Sequence, residues 1–242
     1  MANRADCSVL ERDGYITLKR VVSAVDCLRL IREIDEAARQ AERDFISSSR
    51  RKIVGGRNLL SQWHGWRSLL QETILADLVL QTLGEQAGVV RALFFDKPPG
   101  EGWSLALHKD RTIAVKEHCQ VCAPFAKPTR KAGVPHVEAT EDLLHRMLTL
   151  RFHLDAMHDD NGPLIVVPGS HDDSQTESEI RTIHCDAGDV FVMRPLLSHG
   201  SRAANPTTTD HRRVLHLELA ASEELPGEWQ WHQFEKIGRV FD

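Results

Sequence analysis

The distribution of hydrophobic residues divides the chain into a helical first part and a β-rich second part. In residues 24–42, apolar side chains recur at helical spacing after Ser23, whose hydroxyl can cap the first turn. A second apolar stripe over residues 66–83 predicts another helix, which ends near Gly84. We therefore predict two amphipathic helices before the first strand of the β-rich part.

Beyond residue 88, short apolar runs alternate with segments rich in Gly, Pro, Asp and Asn, which is typical of strands joined by turns. The predicted strands cover residues 89–95, 104–115, 147–154, 164–167, 190–193 and 213–219. This order of elements indicates a β-rich α+β fold. We expect the strands to close as a double-stranded β-helix, the jelly-roll or cupin-like arrangement, flanked by the N-terminal helices.

The length of 242 residues fits one domain. We expect a mainly helical flank over residues 1–88, a jelly-roll core over 89–220 and a C-terminal tail over 221–242. Residues 113–136 read as an irregular loop between strands. Long ordered loops often cover binding sites, and a disordered segment is the alternative. We therefore treat residues 111–146 as a candidate lid.

Charge and hydropathy restrict the class of partner. The chain has 30 basic and 35 acidic side chains, a formal charge of −5, which is not the footprint of a nucleic-acid-binding protein. Its charged beginning and its lack of a long apolar run lead us to expect a cytoplasmic protein without a membrane partner. A small molecule is the expected partner.

One stretch of the chain departs from the overall acidic balance. Residues 111–136 contain a single acid, Glu117, and five basic side chains: Arg111, Lys116, Lys127, Arg130 and Lys131. This local excess of positive charge motivates the hypothesis that the substrate is a small anion. An exposed basic loop without a ligand is the alternative.

The candidate chemistry begins at a predicted strand end, where His108 and Asp110 share one face because they are two residues apart. His199, after the predicted strand 190–193, can complete a site of two histidines and one carboxylate. Such a facial site suits Fe(II) and leaves coordination positions open. The chain has 13 histidines, so the pattern can also arise by chance. A hydrogen-bonded pair of His108 and Asp110 is then the alternative.

Cysteine usage favours reduced thiols, because the chain has five cysteines and no secretion signal. The spacing of Cys119 and Cys122 could form half of a zinc site, with His118 and His136 as further candidates, but free loop thiols are the alternative. Arg57, in the loop before the second helix, either reaches the pocket or meets solvent.

Several short motifs follow one another in an order that resembles the phytanoyl-CoA dioxygenase family of Fe(II)- and 2-oxoglutarate-dependent oxygenases. The resemblance covers nearly the whole chain. It lies in residues 10–16, 96–100, 108–110, 161–164, 168–171, 187–190, 199–201 and 212–215.

The resemblance implies an enzyme in which His108, Asp110 and His199 bind Fe(II). It would hydroxylate a small organic substrate with O₂ while 2-oxoglutarate is converted to succinate and CO₂. Halogenating relatives lack the carboxylate ligand, so Asp110 favours hydroxylation. Lys109 replaces a glutamine of many relatives, but its side chain should face away from the metal. A metal-binding jelly roll or oxygenase that does not use 2-oxoglutarate, and a non-catalytic binding module, are the alternatives.

The same resemblance implies that Arg212 binds the distal carboxylate of 2-oxoglutarate, with help from Ser201, because a guanidinium pairs with a carboxylate through two hydrogen bonds. Arg213 should face the other side of the strand and is the alternative if the register shifts by one residue. Arg151 stands where well-known relatives carry an aromatic pocket residue. It either makes the cavity cationic and contacts the co-substrate or forms an ordinary salt bridge in the sheet.

Overall fold

The computed structural model describes residues 6–40, 45–47, 53–119, 123–173 and 179–238. The helices are α1 (Cys7–Asp13), α2 (Ala24–Gln40), α3 (Leu59–Gln62), α4 (Trp66–Leu69), α5 (Thr73–Leu83) and α6 (Glu141–Leu144). The strands are β1 (Tyr15–Leu18), β2 (Phe45–Ser47), β3 (Ile53–Gly56), β4 (Gly88–Lys97), β5 (Leu105–His108), β6 (Thr112–Ala114), β7 (Ala126–Lys131), β8 (Val134–Glu138), β9 (Met147–His153), β10 (Leu164–Val166), β11 (Arg181–Ile183), β12 (Val190–Met193), β13 (His199–Ser201), β14 (Arg212–Ala220) and β15 (Glu235–Lys236).

The strands form three antiparallel sheets. The large sheet runs in the order β1–β12–β9–β14–β4–β3–β2, and β15 also pairs with β4. A four-stranded sheet has the order β11–β10–β13–β5, and a three-stranded sheet has the order β6–β8–β7. The prediction of a β-rich jelly-roll fold with N-terminal helices is confirmed. None of the described helices is long and apolar enough to cross a membrane.

The helix predicted over residues 24–42 is present as α2. The Ser23 hydroxyl accepts a hydrogen bond from the backbone N–H of Asp26 at 3.1 Å, so it caps the first turn as expected. The buried side of α2 packs on the large sheet through Leu30, Ile31 and Ile34. Residues 41–44, which include the end of the predicted helix, lie outside the described part of the chain.

The single helix predicted over residues 66–83 is wrong in one respect, because it is divided into α4 and α5. Glu72 has an extended backbone (φ −62°, ψ 116°), which interrupts the helical hydrogen bonds before Thr73. Leu69 and Leu70 are buried before this break and Leu75 is buried after it, so the apolar stripe continues through it. Because the apolar stripe over residues 66–83 is continuous, the sequence pattern predicts one helix where the structure has two. Gly84 ends α5 as predicted.

The irregular loop predicted over residues 113–136 is also wrong, because β7 and β8 form a hairpin that pairs with β6. Its turn places Ala132 and Gly133 at positive φ (48° and 80°), the conformation that two-residue hairpins require. β7 is an exposed strand rich in lysine and arginine, so it lacks the apolar alternation that would have revealed it. The predicted strand 104–115 is in turn divided into β5 and β6, with His108 at the end of β5 and Asp110 between the two strands.

Candidate active site

Two short strands of the four-stranded sheet bring the predicted metal ligands together. β5 and β13 are antiparallel, and their register places His108 directly opposite His199. Asp110 follows β5, and its backbone N–H donates to the carbonyl of Pro195 at 2.9 Å. Gly200 is required here, because a Cβ at this position would lie 2.6 Å from the carbonyl oxygen of Leu105. One ligand atom from each of the three side chains lies within 4.8 Å of the others.

Backbone hydrogen bonds orient both imidazoles. Nδ1 of His108 donates to the carbonyl of Ala106, and Nδ1 of His199 donates to the carbonyl of Leu197, each at 2.9 Å. Because a carbonyl only accepts, this places the proton on Nδ1 and leaves the Nε2 lone pair for a metal. Burial lowers the pKa of His199, although Asp110 opposes this effect, and the neutral imidazole is the form that binds metal.

The spacing inside the cluster fits an ion. Nε2 of His108 lies 3.7 Å from one carboxylate oxygen of Asp110, and Nε2 of His199 lies 3.5 Å from the other. Both separations exceed an ordinary hydrogen bond, so the alternative of a hydrogen-bonded His108–Asp110 pair does not hold. Two imidazoles and one carboxylate on one side of a cavity form a donor set that fits Fe(II). Lys109 faces away, as predicted, and pairs with Asp173 at 3.2 Å.

A cavity of about 240 Å³ adjoins this cluster. Its opposite wall is the large sheet, where alternate residues of β4, β9 and β14 face inward. The predicted site residues Arg57, Arg151, Ser201 and Arg212 all line the cavity. The predicted lid segment contributes Lys131 and Leu144 to the wall.

Arg212 lies at one end of the cavity, opposite Lys97 in the pairing of β14 with β4. Its side chain is buried and donates to the carbonyl of Gly162 at 2.8 Å, whereas its Nε has no hydrogen-bond partner among the described residues. Arg213 faces the other side of the sheet and pairs with Asp155 at 2.7 Å. Of the two arginines, only Arg212 faces the cavity.

Ser201 and Lys97 meet beside Arg212. The Nζ of Lys97 donates to the hydroxyl of Ser201 at 3.0 Å and to the carbonyl of Arg202 at 2.7 Å. Burial, together with the nearby charges of Arg212 and Arg151, lowers the pKa of Lys97 to about 7. The predicted strand 89–95 ends before Lys97, which the sequence does not reveal as a cavity residue, because only the pairing with β14 extends β4 this far.

Arg151 is fully inside the cavity wall, opposite His216 of β14. It makes no ion pair with a described residue, and its Nε has no hydrogen-bond partner there. Among the described residues, Arg151 therefore does not form the sheet salt bridge that was the alternative. Burial lowers the pKa of Arg151 to about 10 and that of Arg212 to about 9, so both guanidinium groups remain positively charged near neutral pH.

Buried cations without carboxylate partners are unfavourable unless an anion joins them. Arg151, Arg212 and Lys97 together form such a group beside the metal cluster, and the unpartnered Nε atoms of both arginines can donate to a ligand. This end of the cavity fits the carboxylate groups of 2-oxoglutarate. A guanidinium recognises a carboxylate through paired hydrogen bonds, which accounts for the requirement for arginine.

Most of the basic residues predicted to make the loop cationic do not reach the cavity. Arg111 pairs with Glu141 at 2.9 Å, and Lys127 pairs with Glu138 at 2.6 Å. Of the five basic side chains between residues 111 and 136, Lys131 is the one that lines the cavity. The positive charge comes instead mainly from the large sheet and the loop after β3, where sequence reasoning had singled out Arg57.

The zinc interpretation gains no support from the described residues. Nε2 of His118 lies 3.1 Å from the backbone carbonyl of His136. Cys119 forms no disulfide with a described residue, and Cys122 lies outside the described residues. The metal-type cluster found among the described side chains is that of His108, Asp110 and His199.

Comparisons with known proteins agree with this geometry. Residues 10–214 match the family model of phytanoyl-CoA dioxygenase. A search of the curated proteins finds no match.

Solved structures of low sequence identity share the fold. SnoK, a non-haem α-ketoglutarate-dependent carbocyclase from nogalamycin biosynthesis, is 15% identical with a TM-score of 0.64, over 90% of this chain and 83% of SnoK. EctD from S. alaskensis, solved with 2-oxoglutarate and 5-hydroxyectoine, is 20% identical with a TM-score of 0.65, over 88% of this chain and 74% of EctD. SnoN, an epimerase from the same biosynthesis as SnoK, is 18% identical with a TM-score of 0.60, over 95% and 92% of the two chains.

The family match covers most of the chain, and the cluster of two histidines and an aspartate fits the iron that such enzymes use. The chain belongs to the phytanoyl-CoA dioxygenase family and is a non-haem iron oxygenase with 2-oxoglutarate as co-substrate.

Proposed function

We propose that the enzyme hydroxylates a C–H bond of a small organic substrate. In the overall reaction, one oxygen atom of O₂ enters the substrate as a hydroxyl group, and the other enters succinate as 2-oxoglutarate loses CO₂. Iron bound at the cluster would supply the activation of O₂. The protein provides the ligands, the orientation of the co-substrate and a cavity that restricts water.

His108, Asp110 and His199 are the proposed iron ligands. The observation that carries this assignment is the convergence of both Nε2 atoms on the Asp110 carboxylate while each Nδ1 is held by a backbone carbonyl. The carboxylate ligand also favours hydroxylation over halogenation, because a bound halide would need the position that Asp110 occupies.

Arg212 and Ser201 are proposed to bind the distal carboxylate of 2-oxoglutarate. Ser201 is two residues from His199 on β13, so a co-substrate bound at the iron can reach both groups. Lys97 donates to the Ser201 hydroxyl and so holds its oxygen in place. Arg151, close enough to Asp110 for their charges to interact, is proposed to contact the co-substrate near the metal.

The reaction type is tested by product mass. A panel of small organic acids, their amides and amines is incubated with Fe(II), 2-oxoglutarate and isotopically labelled O₂, and succinate and products are measured by mass spectrometry. We expect a product heavier by one labelled oxygen atom, formed in step with succinate. A product that has lost two hydrogen atoms would show ring closure instead of hydroxylation, and an isomer of unchanged mass would show epimerisation.

A further inference from the structure

The cavity has a second cationic cluster at the end remote from Arg212. Arg57 follows β3, Arg91 lies in β4 and Lys131 ends β7, and all three line the cavity together with Glu218 of β14. We call these four side chains the distal cluster.

The two cationic ends are separated along the same strands. Lys97 pairs with Arg212, and Arg91 pairs with Glu218, in one continuous register of β4 with β14. A strand rises about 3.3 Å per residue, so Arg91 and Lys97 lie roughly 20 Å apart along β4. One small co-substrate chelated at the iron and anchored on Arg212 therefore leaves the distal cluster free for a different molecule.

Positive charge exceeds negative charge in the distal cluster. Glu218 lies 3.4 Å from Arg91, which is about nine-tenths buried and whose Nε has no hydrogen-bond partner among the described residues. Lys131 donates to the neutral hydroxyl of Thr112 at 2.7 Å. Arg57 makes no hydrogen bond or ion pair with a described residue. A single carboxylate thus faces three cations.

The cations are close enough to repel one another, and Lys131 is close enough to interact electrostatically with the metal site. Burial lowers the pKa of both Arg57 and Lys131, and the charge of Arg91 lowers each further. Asp110 acts in the opposite direction on Lys131, so the cluster lies within electrostatic reach of a candidate iron ligand. Arg213, on the other face of the sheet, has in contrast a matched acid in Asp155.

Apolar side chains line the cavity together with the distal cluster. Leu93 follows Arg91 at the next inward position of β4, and Leu144 and Met147 line the same cavity. An anionic group bound by the cluster would therefore carry an apolar body into the space before the metal.

We propose that the distal cluster binds the carboxylate or phosphoryl group of the primary substrate, so that the enzyme acts on anionic molecules with a short apolar body. This inference rests on the proposed function, because the bound C–H group must face the iron. Arg57 and Lys131 are the proposed substrate-binding residues, since neither has an ion-pair partner among the described side chains, whereas Arg91 also serves to balance Glu218.

Calorimetry with simple probes tests the proposal. Anaerobic protein saturated with Fe(II) and 2-oxoglutarate is titrated with hexanoate, hexyl phosphate, hexanamide and hexylamine. We expect one of the two anions to bind at least about tenfold more tightly than hexanamide, and hexylamine to bind most weakly. The tighter anion identifies whether carboxylate or phosphoryl is preferred. Equal binding of anions and hexanamide by the unaltered chain would overturn the proposal without reference to any variant.

Matched variants locate the site. Arg57→Gln and Lys131→Gln should each lower the affinity for the preferred anion by about tenfold and leave the affinity for hexanamide unchanged. Arg130→Gln is the control, because Arg130 is the exposed neighbour of Lys131 on β7 and its guanidinium donates to the carbonyl of Gly133 in the hairpin turn. Anion affinities that are the same in all three variants would overturn the assignment. Loss of 2-oxoglutarate affinity in Arg57→Gln or Lys131→Gln would assign the cluster to the co-substrate instead, which also overturns it.

The visible charge-transfer band of Fe(II) with 2-oxoglutarate, recorded before each titration, separates this inference from the proposed function. A normal band without selective anion binding would reject the distal cluster alone. Selective anion binding in protein that shows no charge-transfer band would reject the proposed function while retaining the anion-binding site. The same band shows whether each variant is folded and loaded.

Discussion

Alternate residues of β14 meet two different environments. Leu215, Leu217 and Leu219 are buried against the helices, in a core that also includes Leu150 and Phe152 of β9. On the other face, β14 carries charged or polar residues into the cavity at three of its four lining positions: Arg212, His216 and Glu218. The same backbone therefore supports an apolar core on one side and a desolvated polar wall on the other.

The difference between the two faces separates stability from function. The helix-facing side gains free energy from the removal of apolar surface from water. The cavity-facing side keeps buried cations with too few acids, which costs stability unless a ligand supplies the missing negative charge. Substitutions on the helix-facing side should therefore reduce stability, whereas those on the cavity side should reduce binding and turnover.

The largest expected effect comes from the metal cluster. Asp110→Ala should lower Fe(II) affinity by more than roughly a hundredfold, because even the loss of an outer hydrogen-bond partner of a metal ligand commonly costs 10–100-fold. Succinate formation should cease, while the melting temperature of the metal-free protein stays close to that of the wild type. Asp173→Ala, which removes an exposed carboxylate near the same loop, is the control and should retain iron. Normal turnover by Asp110→Ala would reject the ligand assignment.

A substitution on the helix-facing side should lower the stability of the protein and leave co-substrate binding unchanged. Leu217 is fully buried, so Leu217→Ala should lower the free energy of unfolding by about 3 kcal/mol through lost burial and a residual cavity. Denaturant unfolding measures this, and 2-oxoglutarate affinity measured on folded protein should be unchanged. The exposed Leu28→Ala should change stability little. A large loss of co-substrate affinity in Leu217→Ala would mean that the two faces are not independent.

Neighbouring arginines test the two faces directly. Arg212→Ala should raise the 2-oxoglutarate concentration required for half-maximal turnover by roughly 10–100-fold, because charge-assisted hydrogen bonds contribute about 1.5–3 kcal/mol. Iron binding should persist. Arg213→Ala removes the pair with Asp155 on the other face and should leave the co-substrate requirement unchanged. Equal effects of the two substitutions on that requirement would contradict the assignment of Arg212.

The smallest expected effect is a pH dependence of stability caused by Lys97. Its pKa is lowered by burial from 10.5 to about 7, so unfolding takes up a proton between these values and the folded state gains stability as the pH rises. In metal-free protein we expect a gain of about 1.5 kcal/mol between about pH 7 and pH 8.5. Denaturant unfolding at both pH values should show this gain in the wild type and not in Lys97→Met. The same gain in both proteins would assign it to other groups.

The helix α2, five of the strands and the convergence of His108, Asp110 and His199 could be predicted, because each depends on local pattern or on motifs of the family. Lys97 and Arg91 could not. Lys97 follows the predicted strand, and Arg91 is a single charged residue within it, which is typical of an exposed position. Only the pairing of β4 with β14 shows that both are buried. The hairpin of β7 and β8 was missed for a related reason, since its exposed strand has no apolar pattern to detect.

The most direct test of the account is a crystal structure of the protein with Fe(II) and 2-oxoglutarate. We predict a metal bound by Nε2 of His108, Nε2 of His199 and the carboxylate of Asp110, with the distal carboxylate of 2-oxoglutarate on Arg212. The distal cluster of Arg57, Arg91, Lys131 and Glu218 should remain available to substrate. A metal bound elsewhere, or a co-substrate carboxylate held by Arg91 and Lys131, would contradict it.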